Sequence, residues 1–434
     1  MRIAVVCPDA HTAWQFHRAL LLALHDHGHE VTVIAAPLRA DDVGHLRRAG
    51  LKYIPLRFHR FVNPRADIAA LVRLYAILRS NRFDCVHSFN LKCHIYGSIV
   101  ARLARTPLVF GTIEGLGFAY TDPSSLRSRL LARVVDSLNL VACRLADKVW
   151  FVNSDDLQLF VSRGILSADK AVLVRSCGVN LDEFSAVSVD ANRVERLKAE
   201  LGLRPGMSLV TMVVARAVWS KGVREFVEAC ALLERDHPSS RFVLLAPTAR
   251  DSPHSVSAGY LEHAERSISA FRWLPAFRDD VRELLCVSDV VVLPSYYREG
   301  VPKILLEAMA MSKPIVTTDN VGCRDVVEDG KNGILVPVKD ARAVARAIDR
   351  LLTDPRARSR FGRCSRERVE REFAEEVVVT SVLRRLYGIR AGRDVDMEDV
   401  PTVEAPATVG TTDRRAGGWR GLATPPPEHG EARE

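Results

Sequence analysis

The chain is poor in the features that would settle its class at a glance. No Cys-x-x-Cys pair occurs among its nine cysteines, and that count is odd. This gives no sign of a disulfide framework or of a Cys-x-x-Cys motif. Several of the cysteines fall in apolar segments, where a thiol behaves as a small hydrophobe, so a reducing compartment is expected. No apolar run reaches the length of a membrane span, and Arg2–Val6 is too short for a signal-peptide core. There is no lysine-rich tract or nucleic-acid motif, which removes the main reasons to expect a nucleic-acid partner. The G-x-G-x-x-G fingerprint is also missing: Gly115-Leu116-Gly117 lacks a third glycine. A nicotinamide dehydrogenase is therefore disfavoured.

What is present is a globular composition. With 434 residues, 47% of them hydrophobic, the chain can build two cores. The net charge of +8 is mild, suiting a solvated surface, an anionic substrate or a membrane face.

Hydrophobic periodicity predicts strands at Ile3–Cys7, Glu30–Ala35, Leu51–Ile54, Cys85–Ser88, Leu108–Thr112, Lys148–Val152 and Ala171–Val174. Helices are expected at His11–His27, Arg65–Asn81, Ile95–Arg105, Ser125–Ala146 and Asp155–Arg163. A polar stretch, Asn180–Pro205, precedes a second series. Its strands are Leu209–Val214, Phe242–Ala246, Val290–Leu293 and Ile315–Thr318, with a short segment at Gly333–Pro337. Its helices are Gly222–Asp236, Gly259–Ser269, Asp280–Cys286, Lys303–Met311, Ala341–Leu352 and Phe373–Tyr387. Alternating strands and helices mean parallel sheets covered on both faces. The expectation is an α/β chain of two doubly wound αβα domains facing across a cleft, residues 1–190 and 191–372. A C-terminal helix, 373–390, packs back on the first domain, and the aperiodic residues 391–434 form a disordered tail.

The most informative stretch is PSYYREGVPKILLEAMAMSKPIVTTDNVG, Pro294–Gly322. It reads as a loop after a buried strand, a helix whose first turn holds Pro302, and another strand. Free amides at such a helix start form an anion site. Glu299 stands in the loop and Glu307 in the helix. Alone, this pair fits solvated surface acids better than a site. A second stretch, ARAVWSKG, places Arg216 and Lys221 at another strand's carboxyl end, where a diphosphate would lie in an open α/β sheet. Arginine grips phosphate oxygens bidentately and lysine acts as a point charge.

These motifs, with VLPSYYREGVPKILLEAMAMSKPIVTTDNVGCRDVVEDGKNGILVP as a whole, resemble the retaining glycosyltransferases of family 4, which have the GT-B fold. The resemblance extends to NLKCHIYGSIVARLA, TIEGLGFAYT and FVNSDDLQLFVSRG and covers nearly all of Arg2–Tyr387. It is nearest to bacterial enzymes of capsule, O-antigen and lipid-linked glycan assembly. The resemblance implies transfer of a hexose-type sugar, with retention, from a nucleotide-sugar donor such as a UDP-sugar to a lipid-linked or growing glycan acceptor. It also implies that Arg216 and Lys221 bind the donor phosphates and that Glu299 contacts the transferred sugar. Glu307 would hold the ribose, and Gly300, Val301 and Pro302 would shape the helix start beside the diphosphate. No cofactor or metal is implied, so Asp279-Asp280 is read as a helix cap.

The first half departs from the family pattern. Pro8–Ala13 stands in place of a glycine-rich loop, and Glu114 falls where relatives carry a histidine. Glu114, Lys92 and His11 are candidate acceptor or sugar contacts, with His94 a rival to His11. Ser125–Lys148 interleaves leucine and valine with arginine. Its apolar side is expected in the core, with an anionic membrane as the alternative partner. The localisation implied is cytoplasmic, peripheral to the membrane's inner face if that alternative holds. Two rivals remain open: a nucleotide-sugar epimerase or phosphorylase on the same fold, and a catalytically idle glycan-assembly partner.

Overall fold

The computed structural model describes residues 1–59, 63–117, 120, 126–248 and 254–389. The expected tail, 391–434, lies outside them, as do positions 118, 119 and 121 of the TIEGLGFAYT stretch.

The first half alternates strictly. Strands are β1 (Arg2–Asp9), β2 (Glu30–Ala36), β3 (Lys52–Pro55), β4 (Cys85–Phe89), β5 (Leu108–Ile113), β6 (Lys148–Phe151) and β7 (Ala171–Leu173). Between them run α1 (Ala10–Asp26), α2 (Ala40–Arg48), α3 (Pro64–Asn81), α4 (Leu91–Leu103), α5 (Leu126–Leu145) and α6 (Ser154–Ser162). All pairings are parallel, in the order β3-β2-β1-β4-β5-β6-β7. Local chemistry sets the helix starts. The Asp9 carboxylate accepts the Thr12 amide at 2.7 Å to open α1, and Asn63 with Pro64 opens α3.

The second half begins with α7 (Ala191–Glu200) and continues with β8 (Ser208–Val213), α8 (Val223–Leu233), β9 (Ser240–Leu245), α9 (Ala258–Ser267) and β10 (Phe271–Leu274). Next come α10 (Val281–Val287), β11 (Val290–Leu293), α11 (Lys303–Ala310), β12 (Ile315–Thr318), α12 (Cys323–Val326) and β13 (Gly333–Val336). The last described elements are α13 (Ala341–Thr353), α14 (Pro355–Glu372), α15 (Glu375–Val382) and a π-helical turn, Leu383–Tyr387. This sheet is also wholly parallel, ordered β10-β9-β8-β11-β12-β13. Val290–Leu293 of β11 is buried throughout, as a central strand covered on both faces must be. Two parallel α/β sheets are what the sequence predicted.

Several elements depart from expectation. β10, α2, α12 and α14 were not anticipated as separate elements. Asp280 occupies the N-cap position of α10, but its side chain does not cap. Both carboxylate oxygens bond Arg278 at 2.7 Å, and Asp279 pairs with Arg193 at 2.8 Å. The guanidinium forks outcompete the helix amides because each offers a charge-assisted bond.

The last helix belongs to the first core. Val378, Val379, Val382, Leu383 and Leu386 pack with Ile3, Val5, Leu21 and Trp150. The Tyr387 hydroxyl meets His87 Nδ1 at 2.8 Å. Burial holds that histidine's pKa well below its ordinary value.

α5 corrects another expectation. Ala142 and Cys143 are buried, but Leu130, Val134, Leu138 and Val141 are 65%, 50%, 40% and 45% exposed. Their spacing places them along one helix face. Arg129, Arg133 and Arg144 are exposed as well. Much of the helix's apolar side therefore lies outside the core.

Candidate active site

Strand order reverses between β8 and β11, so their carboxyl-end loops diverge and leave a crevice there. The two stretches singled out by sequence emerge at this point. After β8 the chain turns through Arg216 to a short 3-10 turn, Trp219–Lys221, and reaches Gly222 with φ of 80°. A side chain there would be strained and would also strike the Pro294 carbonyl oxygen, since a Cβ would lie 2.1 Å from it. Glycine thus allows the β8 loop to press directly on the β11 loop.

The β11 loop is pinned by backbone bonds. The amides of Tyr296 and Tyr297 both donate to the Ser220 carbonyl at 2.9 Å. From the next strand, Asn320 Nδ2 donates to the Tyr297 carbonyl at 2.8 Å, and the Thr318 hydroxyl donates to the Ser295 carbonyl. On this frame Lys221 Nζ ion-pairs with Glu299, whose Oε1 also accepts the Ser295 hydroxyl at 2.9 Å. The Tyr297 ring lies 5.4 Å from the same ammonium. The lysine and glutamate side chains are only 20% and 11% exposed, so solvent screens the pair weakly.

Arg216 is half-buried in the β8 loop, whose neighbouring Ala217 amide donates to Pro247 at 2.8 Å. Gly300 and Val301 precede α11. Pro302 is the residue before its first turn rather than within it, with ψ of 114°. Glu307 lies one turn into α11. Burial pushes its carboxyl up to about 7, with Lys303 opposing the shift and Glu183 adding to it. It is therefore not the solvated helix acid that its type alone suggests.

Backbone meets backbone both across the cleft and between neighbouring loops of the second half. A Cβ on Gly300 would sit 2.1 Å from the Glu114 carbonyl oxygen, and one on Gly322, where φ is 77°, would sit 1.7 Å from the Gly300 carbonyl oxygen. Beside this contact, Arg298 Nε donates to the fully buried Asp156 at 2.7 Å.

In the first half, Glu114 directly follows β5. Its Oε1 lies 3.0 Å from His17 Nε2 and 3.3 Å from the Cys177 Sγ donor. Burial is the largest effect on Cys177 and raises its thiol well above the ordinary range, with Glu114 adding to it. Lys92 bonds Asp67 at 2.8 Å and the His59 carbonyl at 2.6 Å. His11 lies 3.0 Å from Asp42. The buried His94 is pushed down to about 4 by burial. Lys92 and His11 are thus engaged by acids of their own half, and only Glu114 sits against the β11 loop. Sequence reasoning missed Ser295, Asn320, His17 and Cys177. Only the first two lie inside the motif, where a loop-and-strand-end reading would have found them.

Profiles of known families match both halves. The one described as "Glycosyl transferase 4-like domain" covers residues 12–177, and "Glycosyl transferases group 1" covers residues 195–368. The chain is 31% identical over 360 residues to the N,N'-diacetylbacillosaminyl-diphospho-undecaprenol alpha-1,3-N-acetylgalactosaminyltransferase of Campylobacter jejuni. That alignment spans 82% of this chain and 91% of the relative. The chain belongs to the group 1 and 4-like glycosyltransferases. This glycosyltransferase is also 26% identical to the UDP-Gal:alpha-D-GlcNAc-diphosphoundecaprenol alpha-1,3-galactosyltransferase of Escherichia coli, over 66% of the chain and 71% of the relative. Its fold matches a Rickettsia africae glycosyltransferase with a TM-score of 0.71 at 18% identity, covering 88% of this chain and 97% of that one. It also matches Anabaena HepE in complex with UDP with a TM-score of 0.71 at 16% identity, covering 90% and 100%. The glycosyltransferase thus has the GT-B architecture. Among its described residues, no helix is long and apolar enough to cross a membrane.

Proposed function

We propose that this glycosyltransferase moves a hexose-type sugar from a UDP-sugar to a lipid-linked glycan acceptor with retention of anomeric configuration. The observation that carries the reading is the Lys221–Glu299 pair at the β8/β11 crevice, braced by Ser295 and by the Ser220 carbonyl. In the absence of donor each charge occupies the other. When a diphosphate enters, Lys221 turns to it and Glu299 is released to accept hydroxyls of the sugar. Arg216 grips the phosphates from the same loop, and the amides of Gly300 and Val301 face them at the start of α11. Glu307, ionised when donor binds, accepts from the ribose diol.

In this mechanism the acceptor hydroxyl attacks the anomeric carbon on the face from which the diphosphate departs. The departing phosphate takes the proton, and Arg216 and Lys221, already turned to the bound donor, stabilise its charge. The positive charge at the diphosphate comes from these two side chains and the helix-start amides, so no cofactor is invoked. The undecaprenol-linked acceptors named for the Campylobacter and Escherichia relatives support a polyprenyl-diphosphate glycan as acceptor. The exposed Leu130–Val141 stripe of α5, flanked by arginines, supports a peripheral contact with an anionic membrane, where such an acceptor resides.

The test is a screen of UDP-sugars with diphosphate-linked lipid glycans as acceptors, products being identified by NMR. Retained configuration is expected, with Arg216→Ala and Lys221→Ala lowering turnover strongly and Glu299→Ala impairing sugar use most. Near-normal turnover in all three variants would overturn the site assignment. Conversion of the donor without acceptor would indicate an epimerase instead. Loss of binding to anionic vesicles at low salt is expected for Leu130→Glu with Val134→Glu. Unchanged binding would remove α5 as the membrane contact.

A further inference from the structure

Outside the donor crevice, three potential metal-ligating side chains from distant parts of the first half converge. His17 comes from α1, Glu114 from the end of β5, and Cys177 from the loop after β7. One ligand atom of each lies within 4.8 Å of the others. His17 is 2% exposed, and its ring packs on Phe89 with centroids 4.0 Å apart. Its Nε2 is closed to solvent and lies 3.0 Å from Glu114 Oε1. Yet among the described residues it makes no hydrogen bond of acceptable direction. A buried imidazole nitrogen without a hydrogen bond costs about 1–3 kcal/mol. Something other than the carboxylate's present lone pair would satisfy it better.

We propose that His17 Nε2, Glu114 Oε1 and Cys177 Sγ form a site for a borderline transition-metal dication, with Zn²⁺ the best match. The reading is independent of the transferase assignment. One nitrogen, one oxygen and one sulfur suit that class of ion and do not suit Mg²⁺ or Ca²⁺, which take oxygen. The dimensions agree. Zinc bond lengths in a tetrahedron give edges of roughly 3.4 Å between N and O and roughly 3.6 Å between S and O. The corresponding separations are 3.0 and 3.3 Å, a few tenths of an ångström short of those edges, and His17 Nε2 and Cys177 Sγ lie within 4.8 Å of each other.

Binding exchanges one proton for the ion. The Cys177 S–H bond breaks, an S–metal bond forms, and the proton passes to solvent. Thiolate and carboxylate together then neutralise the dication, while His17 supplies a neutral nitrogen. Three protein ligands leave a fourth position for water. Glu114 and Cys177 are the partly exposed members, so that position faces away from the buried His17. The ion would clamp α1, the β5 loop and the β7 loop together at the edge of the cleft. The Glu114 carbonyl already abuts Gly300 there.

The test uses the full-length chain, stripped with a chelator and titrated with Zn²⁺ against a chromophoric competitor, without donor or acceptor. One ion per chain is expected, with Kd below about 1 μM. Cobalt substitution should give a thiolate-to-metal charge-transfer band. Cys177→Ser should weaken binding about 100-fold and abolish that band, and His17→Gln should weaken it at least as much. The exposed His27→Gln should bind like the unmodified chain. If His17→Gln does not fold, Cys177→Ser decides the matter, since its change is nearly isosteric. Absence of stoichiometric binding at 10 μM Zn²⁺, or Cys177→Ser binding within about threefold of the unmodified chain, would overturn the proposal. Because donor takes no part, neither result bears on sugar transfer.

Discussion

Removing Lys221 separates two properties that usually fall together. Lys221 and Glu299 are 20% and 11% exposed. Their pairing energy should therefore lie between that of a surface pair, at most about 1 kcal/mol, and the roughly 3–5 kcal/mol lost when a buried pair is broken. A coupling of about 2 kcal/mol is the reasonable expectation. Lys221→Ala leaves Glu299, among the described residues, with the Ser295 hydroxyl as its remaining side-chain partner, and the melting temperature should fall by about 5 °C, at roughly 2–4 °C per kcal/mol for a domain of this size. Glu299→Ala on that background removes the stranded carboxylate, so the double variant should recover most of the loss. Turnover should behave differently. Withdrawing one preformed cation from a departing diphosphate costs about 100- to 1,000-fold, and the double variant should recover none of it. Differential scanning fluorimetry and donor-turnover assays on the four proteins of the cycle give both quantities. If the double variant regained turnover, Lys221 would act only by neutralising Glu299, and the proposed phosphate role would be refuted.

Three further outcomes follow from the geometry. Burial raises the Glu307 pKa to about 7. Protonated Glu307 is thus favoured in the fold, and stability should decline as pH rises from the ordinary carboxylate range through about 7. Glu307→Gln should flatten that decline in pH-dependent melts, and an unchanged slope would refute it. Gly322→Ala should cost about 2–5 kcal/mol from its left-handed backbone and the 1.7 Å approach to Gly300. A melting temperature within 2 °C of the unmodified chain would show that the two loops part easily. Arg298→Ala leaves the buried Asp156 charge without its counter-ion, though still bonded by the Asn153 amide at 3.0 Å, and should cost about 3 kcal/mol. Asp156→Asn with Arg298→Ala should cost less, as thermal unfolding would show.

The donor half was legible because its chemistry is local in sequence. Lys221 and Glu299 each lie in one short run between a strand and a helix, and the strand-order reversal between β8 and β11 brings those two runs together. The other side of the cleft was not legible. His17, Glu114 and Cys177 come from three separate strand-helix units, and no spacing links them. Helix α14 escaped for a different reason. Its sequence, PRARSRFGRCSRERVERE, buries only a narrow line including Ala357, Phe361, Ser365 and Val369. Its arginines serve partly as distant caps: Arg358 donates to the carbonyls of Leu351 and Leu352, and Arg366 to that of Ala310. Such arginines resemble solvated charge until the neighbouring helix ends are in place. For α5 the amphipathic pattern was visible, but not which of its apolar residues face inward. That depends on how α4 and the following strand cover it.

The His87–Tyr387 bond joins residues 300 positions apart, and this separation matters during synthesis. The first sheet can assemble once β7 has emerged, yet Val378, Val382 and Leu386, which finish its apolar packing, are made some two hundred residues later. For as long as it takes to translate the intervening two hundred residues, the nascent chain carries an open greasy slot beside α1. At roughly 5–20 residues per second that interval is about 10–40 seconds. Premature termination anywhere in that interval would release a product with the slot uncovered, marked for chaperones or proteases.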